Sequence, residues 1–339
     1  MSSPSRSSAP LVALILLMVL AFPITTVSGS YAGDKPLGTV AHDACYGDVV
    51  FTLGDSTYSG LLEYNAPYTV TFDTSAAAAG KAVKLARLYV YWVWSQKENV
   101  GVYPTLELHA HHDVLTEAVT YTDTKGFVGR YDYFSGVTVY ECTQTLASTY
   151  QDGDTIAVTV MNADPTGSTF SLQGIGLLVV AECIENDRSC PYIEYWINEG
   201  CDMIYADYGI TPEMATSKSY FHGDIAVTNV KKATLITVVP SGGYVSGGEA
   251  AQNTLYFNEE SGWLKELPFL KQLLKLLFGF GGGVWQDVYI ADSTVQIGVD
   301  QREVTEYLKG SNNFVAVQDR GDYMMVTNAI LVVEQRGAR

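Results

Sequence analysis

An all-β protein is predicted, built as two tandem jelly-roll-like β-sandwich domains with one amphipathic helical insertion in the second. Three observations predict it: a vocabulary of strand residues, a set of blocks that recurs in order, and one stretch with helical apolar spacing. Tyr numbers 23 and Gly 31 while charged residues make up only 17%. Aromatic and β-branched residues separated by Gly-rich turns favour sheets over helices.

Residues 1–30 are expected to be a signal peptide. Arg6 gives a basic start, Leu11 to Phe22 is an unbroken apolar run, and Pro23 ends it. Ser28 and Ser30 are the small residues a signal peptidase needs. The run falls short of the roughly 20 residues that span a bilayer. An extracellular or cell-envelope location follows, and the remaining chain is long enough for two cores.

Within the predicted first domain, residues 31–185, Leu88, Val90, Trp92 and Trp94 share one strand face, and Tyr89, Tyr91 and Val93 the other. Apolar bulk on both faces predicts a central strand covered on both sides. Val83–Leu88 recurs as Val230–Leu235, and Thr105-Leu106 as Thr254-Leu255. Glu141-Cys142-Thr143 with Leu146 recurs as Glu303-Val304-Thr305 with Leu308, and Leu177–Val180 as Ile330–Val333. Four blocks in one order predict a duplicated sandwich. The threonine of the third block is placed to cap exposed backbone amides. A cysteine-rich seam, residues 186–204, is expected to join this domain to the second, residues 205–339.

Five cysteines leave one odd in an exported chain. Cys142 fills the slot of Val304 and is expected to be a buried free thiol. Cys45, Cys183, Cys190 and Cys201 then form two bridges. Cys183–Cys190 with Cys45–Cys201 is the first expectation among the three connectivities that four cysteines allow.

The insertion, residues 261–280, is the one clear helix. Trp263, Leu267, Leu270, Leu273, Leu274, Leu277 and Phe278 fall on one face, with Lys265, Lys271 and Lys275 opposite. Such a helix closes a sandwich end, contacts another subunit, or lies in a membrane surface. The net charge of −17 disfavours peripheral membrane contact and argues against nucleic acid as a partner.

His109, His111 and Asp113 are the residues of metal-ligating type with suitable spacing, since His109 and His111 point the same way on a strand. The alternative reading is a polar hairpin end, and the repeat aligns this stretch with the turn at Phe257–Glu260. Calcium could be held by Asp152, Asp154 or Asp292, although turn positions explain these residues as well. Tyr103, Tyr131, Tyr133, Tyr192 and Tyr195 are surface candidates for stacking on glycans. Nucleophile-elbow, zinc-protease, P-loop and dinucleotide motifs do not occur, so no cofactor is expected.

Tyr195-Trp196-Ile197-Asn198-Glu199-Gly200 with Tyr205 and Asp207, the Asp300–Asn313 block, and the closing Ala329–Val333 resemble an archaeal family. It is the domain of unknown function 3344, frequent in extracellular proteins of methanogens. The resemblance spans roughly residues 45–335. It implies a cell-surface β-sandwich module without catalytic residues to carry over. The chain departs from the pattern in having Cys201 where a histidine is expected, in the insertion, and in the lack of an anchor after the last strand. The expected function is therefore a non-enzymatic sheath, surface-layer or matrix component that associates with itself or with other envelope proteins. A carbohydrate-binding module is the runner-up, and a hydrolase built on paired carboxylates the third reading.

Overall fold

Leu88, Val90 and Trp92 turn their side chains into one core, and Tyr89 and Tyr91, between them, into another. That alternation sets the layering of the whole molecule. The computed structural model describes residues 31–74, 81–111, 113–123, 133–149, 155–184, 190–207, 209–244, 252–259 and 282–337. The insertion read as a helix, including Trp263, Leu267, Leu270, Leu274, Leu277 and Phe278, lies outside the described residues. So do residues 1–30.

The first half carries β1 (Gly38–Thr52), β2 (Leu61–Leu62), β3 (Pro67–Asp73), β4 (Lys81–Lys97), β5 (Val100–Gly101) and β6 (Leu106–Ala110). It continues with β7 (Asp113–Leu115), β8 (Glu117–Thr122), β9 (Phe134–Glu141), a short helix α1 (Thr143–Thr149), β10 (Thr155–Asn162) and β11 (Thr169–Cys183). The second half carries β12 (Tyr192–Ile204), β13 (Thr216–Phe221), β14 (Val230–Pro240) and β15 (Asn253–Phe257). It ends with β16 (Gly283–Gln286), β17 (Ile297–Glu303), β18 (Asn313–Asp319) and β19 (Met324–Gln335). All pairings between these strands are antiparallel.

The architecture is all-β. One eleven-stranded sheet runs in the order β17-β14-β19-β12-β1-β11-β4-β9-β8, with β2 and β5 attached to β11 and β4. Two four-stranded sheets, β3-β10-β6-β7 and β13-β18-β15-β16, cover its two halves. One core lies between the first four-stranded sheet and the β11-β4-β9 half, around Val70, Leu88, Trp92, Val158 and Leu177. A second lies under the other four-stranded sheet, around Leu235, Leu255, Val317 and Leu331. A third joins the remaining faces of the two halves: Tyr89, Tyr91, Val139 and Leu178 meet Tyr195, Ile236, Val238 and Ile330. Four layers result, with two β-sandwiches set back to back.

β1 makes that possible. Its residues Gly38–Tyr46 pair with β12 in the second half, and Gly47–Thr52 pair with β11 in the first. The change of partner falls at Gly47, where a Cβ would sit 1.9 Å from the carbonyl oxygen of Ala181. Only a residue without a side chain lets the two backbones approach so closely.

The recurring blocks occupy matching places. The amide of Cys142 donates to the Ala86 carbonyl and that of Val304 to Ala233, at 3.0 and 2.8 Å. The amides of Ala86 and Ala233 in turn donate to the hydroxyls of Thr143 and Thr305, each at 2.8 Å. Here each threonine caps a neighbouring strand rather than its own turn. Two alignments shift. Leu177 faces Leu88, and the residue facing the equivalent Leu235 is Leu331 rather than Ile330. Likewise Leu108 and Leu255 occupy matching core positions, and the turn residues His111 and Asn258 share a left-handed backbone, with φ of 57° and 56°.

The stretch read as a seam holds β12, a buried strand between β1 and β19. Cys183 and Cys190 form a disulfide, whereas Cys45, Cys142 and Cys201 are free and buried. The expected Cys45–Cys201 bridge is corrected by strand register. Cys45 opposes Ile193 on β12, and Cys201 lies eight residues farther along it. At ~3.3 Å per residue that separation is far beyond the ~7 Å limit for a bridge. Burial raises the thiol of Cys45 to about 11 and that of Cys142 to about 12, and pushes Cys201 higher still. Three protonated, enclosed thiols are unreactive.

Candidate functional site

Near its end β4 departs from regular pairing. Trp92 faces Gly136 on β9, but the next matched pair is Ser95 with Phe134, so β4 carries an extra residue. The bulge puts Trp94 in a left-handed backbone, φ 57°, and turns its indole outward to 44% exposure. Trp94 was expected on the inner face beside Trp92. A bulge re-aims side chains in this way, and a bulky residue at positive φ costs on the order of 1–3 kcal/mol.

Around Trp94 lies an aromatic corner. Its ring meets Tyr133 edge-on at 6.1 Å, and the Tyr133 hydroxyl donates to Asn99 Oδ1 at 3.2 Å. The neighbouring Phe134 packs against Tyr103 at 5.1 Å, and Tyr103 is 58% exposed. Beside Tyr103 opens a groove of about 320 Å³ lined by Tyr103, Pro104, Glu117, Thr120, Thr122 and Thr138. Its floor is fixed from below, where the Trp92 indole N–H donates to Thr138 Oγ1 at 3.1 Å. Thr138 and Thr120 share a hydrogen bond of 2.9 Å. Gly136 makes room for this, because a Cβ there would stand 2.6 Å from the Trp92 ring.

The other sequence candidates fall elsewhere. His109 bonds Glu107 at 2.6 Å, His111 occupies the β6–β7 turn, and Asp113 accepts from Thr145 at 2.9 Å. They form a polar hairpin end. Tyr131, Asp152 and Asp154 lie outside the described residues. Asp292 accepts from the amides of Thr294 and Val295, which makes it a turn residue. Tyr195 is buried in the central layer, and Tyr192 packs edge-on against Tyr46.

Two constellations were not legible beforehand. Among the described residues, Asp34, Asp123 and Asp202 each bring a carboxylate oxygen within 4.8 Å of the others. Asp123 and Asp202 are buried, and Lys35 stands 3.3 Å from Asp123. Asp123 also accepts the Met203 amide at 2.8 Å. Such a set has the chemistry to hold a hard cation, and Lys35 already balances part of its charge. The second constellation spans the central layer. Arg87 donates to both oxygens of Glu199, at 2.6 and 3.0 Å, and also to Glu141. The Tyr89 hydroxyl donates to Glu199 at 2.6 Å. Burial raises the Glu199 carboxyl above its ordinary value, and Arg87 opposes the shift.

Asp322 is similarly structural. It accepts from the Gly243 amide and from Asn253, and burial raises its pKa to about 6. A raised carboxyl pKa means that the folded state binds the proton more tightly. The associated stability is full below about pH 4 and is lost as pH rises through 6. Asp322→Asn removes that dependence, so its stability relative to the native chain should improve from pH 4 to pH 7. Urea unfolding at the two pH values checks this, and an unchanged difference would contradict it.

A family model described as "Protein of unknown function (DUF3344)" matches residues 30–334. The chain belongs to this family. No curated protein matches it. Among solved structures, the chain is similar to the major capsid protein P2 of bacteriophage PM2. The identity is 9%, covering 86% of this chain and 99% of that one, with a TM-score of 0.22. It is similar to PNGase F, a glycosylasparaginase from Flavobacterium meningosepticum, at 11% identity, 85% and 96% coverage and a TM-score of 0.21. A peptide-N(4)-(N-acetyl-β-D-glucosaminyl) asparagine amidase gives 12% identity, 85% and 96% coverage and a TM-score of 0.25. No helix among the described residues is long and apolar enough to cross a membrane.

Proposed function

We propose that this chain is a non-enzymatic structural protein of an archaeal cell surface, a sheath, surface-layer or matrix component that associates with copies of itself. The observation that carries the reading is the use made of the buried charges. Glu199 joins the two halves through Arg87 and Tyr89, and Asp319 and Asp322 hold backbone amides. With β1 threaded through both halves, these groups lock two jelly-roll-like sandwiches into one block. Such a block suits a building unit. Export is supported by the leader-like residues 1–30 and by the Cys183–Cys190 bridge, a bond that persists in oxidising compartments. The apolar face of the 261–280 insertion is the proposed contact between copies.

Light scattering after size-exclusion chromatography tests this on protein lacking residues 1–30. The expected result is a mass that grows with concentration and falls back towards the monomer when residues 263–278 are deleted. A monomer at every concentration overturns it. A second reading, surface recognition of glycans, is favoured by the exposed Trp94 and Tyr103, each packed against a half-buried ring, Tyr133 and Phe134.

A further inference from the structure

We infer that the groove between Tyr103 and Thr138 is a binding site for a neutral saccharide. The inference rests on the second reading above and gives it a place and a ligand chemistry.

Hydrogen counting at the floor comes first. An indole N–H can only donate, so Thr138 Oγ1 accepts from Trp92. Thr138 and Thr120 have two hydroxyl protons and one bond between them. Whichever of them donates, one hydroxyl proton remains for another acceptor. Glu117, exposed at the rim, adds a carboxylate that can only accept. Donor and acceptor side by side match the alternating demands of a ring carrying several hydroxyls.

The apolar side of such a ring needs a flat partner. Tyr103 supplies one: it is held by Phe134 at 5.1 Å yet keeps 58% of its surface open. Pro104 continues the wall. An aromatic side chain left this open beside polar groups offers an amphipathic face with few rotamers to freeze. The volume, about 320 Å³, is at the lower end of the ~300–1,000 Å³ of small-ligand pockets. It suits one or two sugar rings rather than a long chain. Charge sets the class. Glu117 and a net charge of −17 repel uronic and other acidic sugars.

The test is a glycan array followed by calorimetry, using protein that lacks residues 1–30. Neutral hexose oligosaccharides, uronic-acid oligosaccharides and no-sugar controls serve as probes. Native protein is expected to bind neutral oligosaccharides saturably. Tyr103→Ala should weaken binding at least tenfold and Glu117→Gln several-fold, with melting temperatures unchanged because both side chains lie at the surface. Neutral-sugar binding untouched by both variants overturns the groove assignment while leaving glycan recognition standing. Preference for uronic-acid probes overturns the assignment to neutral sugars. Binding to no saccharide overturns both the groove and the second reading.

Discussion

Replacing Arg87 by methionine is expected to destabilise the protein by about 3–5 kcal/mol at neutral pH, the range for removing one partner of a buried ion pair. Arg87 is 8% exposed and Glu199 2% exposed, so the orphaned carboxylate has no route to water. Tyr89, and Tyr121 at 3.5 Å, cannot replace a guanidinium that holds both carboxylate oxygens. The pH dependence fixes the mechanism. Burial already raises the Glu199 carboxyl, and Arg87 is what opposes the rise. Without Arg87 the folded state should bind the Glu199 proton more tightly, so the variant should regain stability as pH falls. Combining Arg87→Met with Glu199→Gln should restore much of the loss at neutral pH. Chemical denaturation of the single and double variants measures this. Equal losses in both, independent of pH, would mean that packing rather than charge is responsible.

Substituting Gly47 by valine is expected to cost about 3 kcal/mol or more, the upper part of the range for forcing atoms into filled space. The obstacle is backbone: the Ala181 carbonyl oxygen would lie 1.9 Å from the new Cβ and the carbonyl carbon 2.9 Å away. Neither can move without opening the β1–β11 pairing that begins there. The Gly47 amide also donates to Pro191 at 2.9 Å, on the approach to β12. Both halves therefore suffer together, and thermal unfolding should shift to lower temperature as one transition. Two separated transitions would show that the halves are stabilised independently.

Much of the layering was legible because it rests on period-two patterning. Leu88, Val90 and Trp92 against Tyr89 and Tyr91 announced a strand covered on both faces, although not that the second cover is the other half of the chain. The third recurring block was legible because Cys142 and Val304, and the threonines after them, make one backbone connection twice. Leu177-Leu178-Val179-Val180 was misaligned by one. Four consecutive apolar residues contain no alternation, so register comes only from pairing, and a single step exchanges the two faces. The bulge at Trp94 was hidden for a related reason, since an inserted residue leaves local composition unchanged.

The candidate groove was legible only in part. Tyr103 and Tyr133 were among the surface tyrosines, but Glu117, Thr120, Thr122 and Thr138 are ordinary strand residues until β8 and β9 set them beside the loop at Tyr103. Arg87 could have been noticed as a charge inside an apolar strand. Its partner, 112 residues away, could not. The same holds for Asp34, Asp123 and Asp202, which the topology gathers from three separate segments.

Cross-linking mass spectrometry on intact cells that display the protein tests the proposed role most directly. Self-association predicts links that join a lysine to the same lysine, which only two copies of the chain can supply. Links confined to pairs within one copy, in protein abundant at the surface, would contradict a structural component built from many copies.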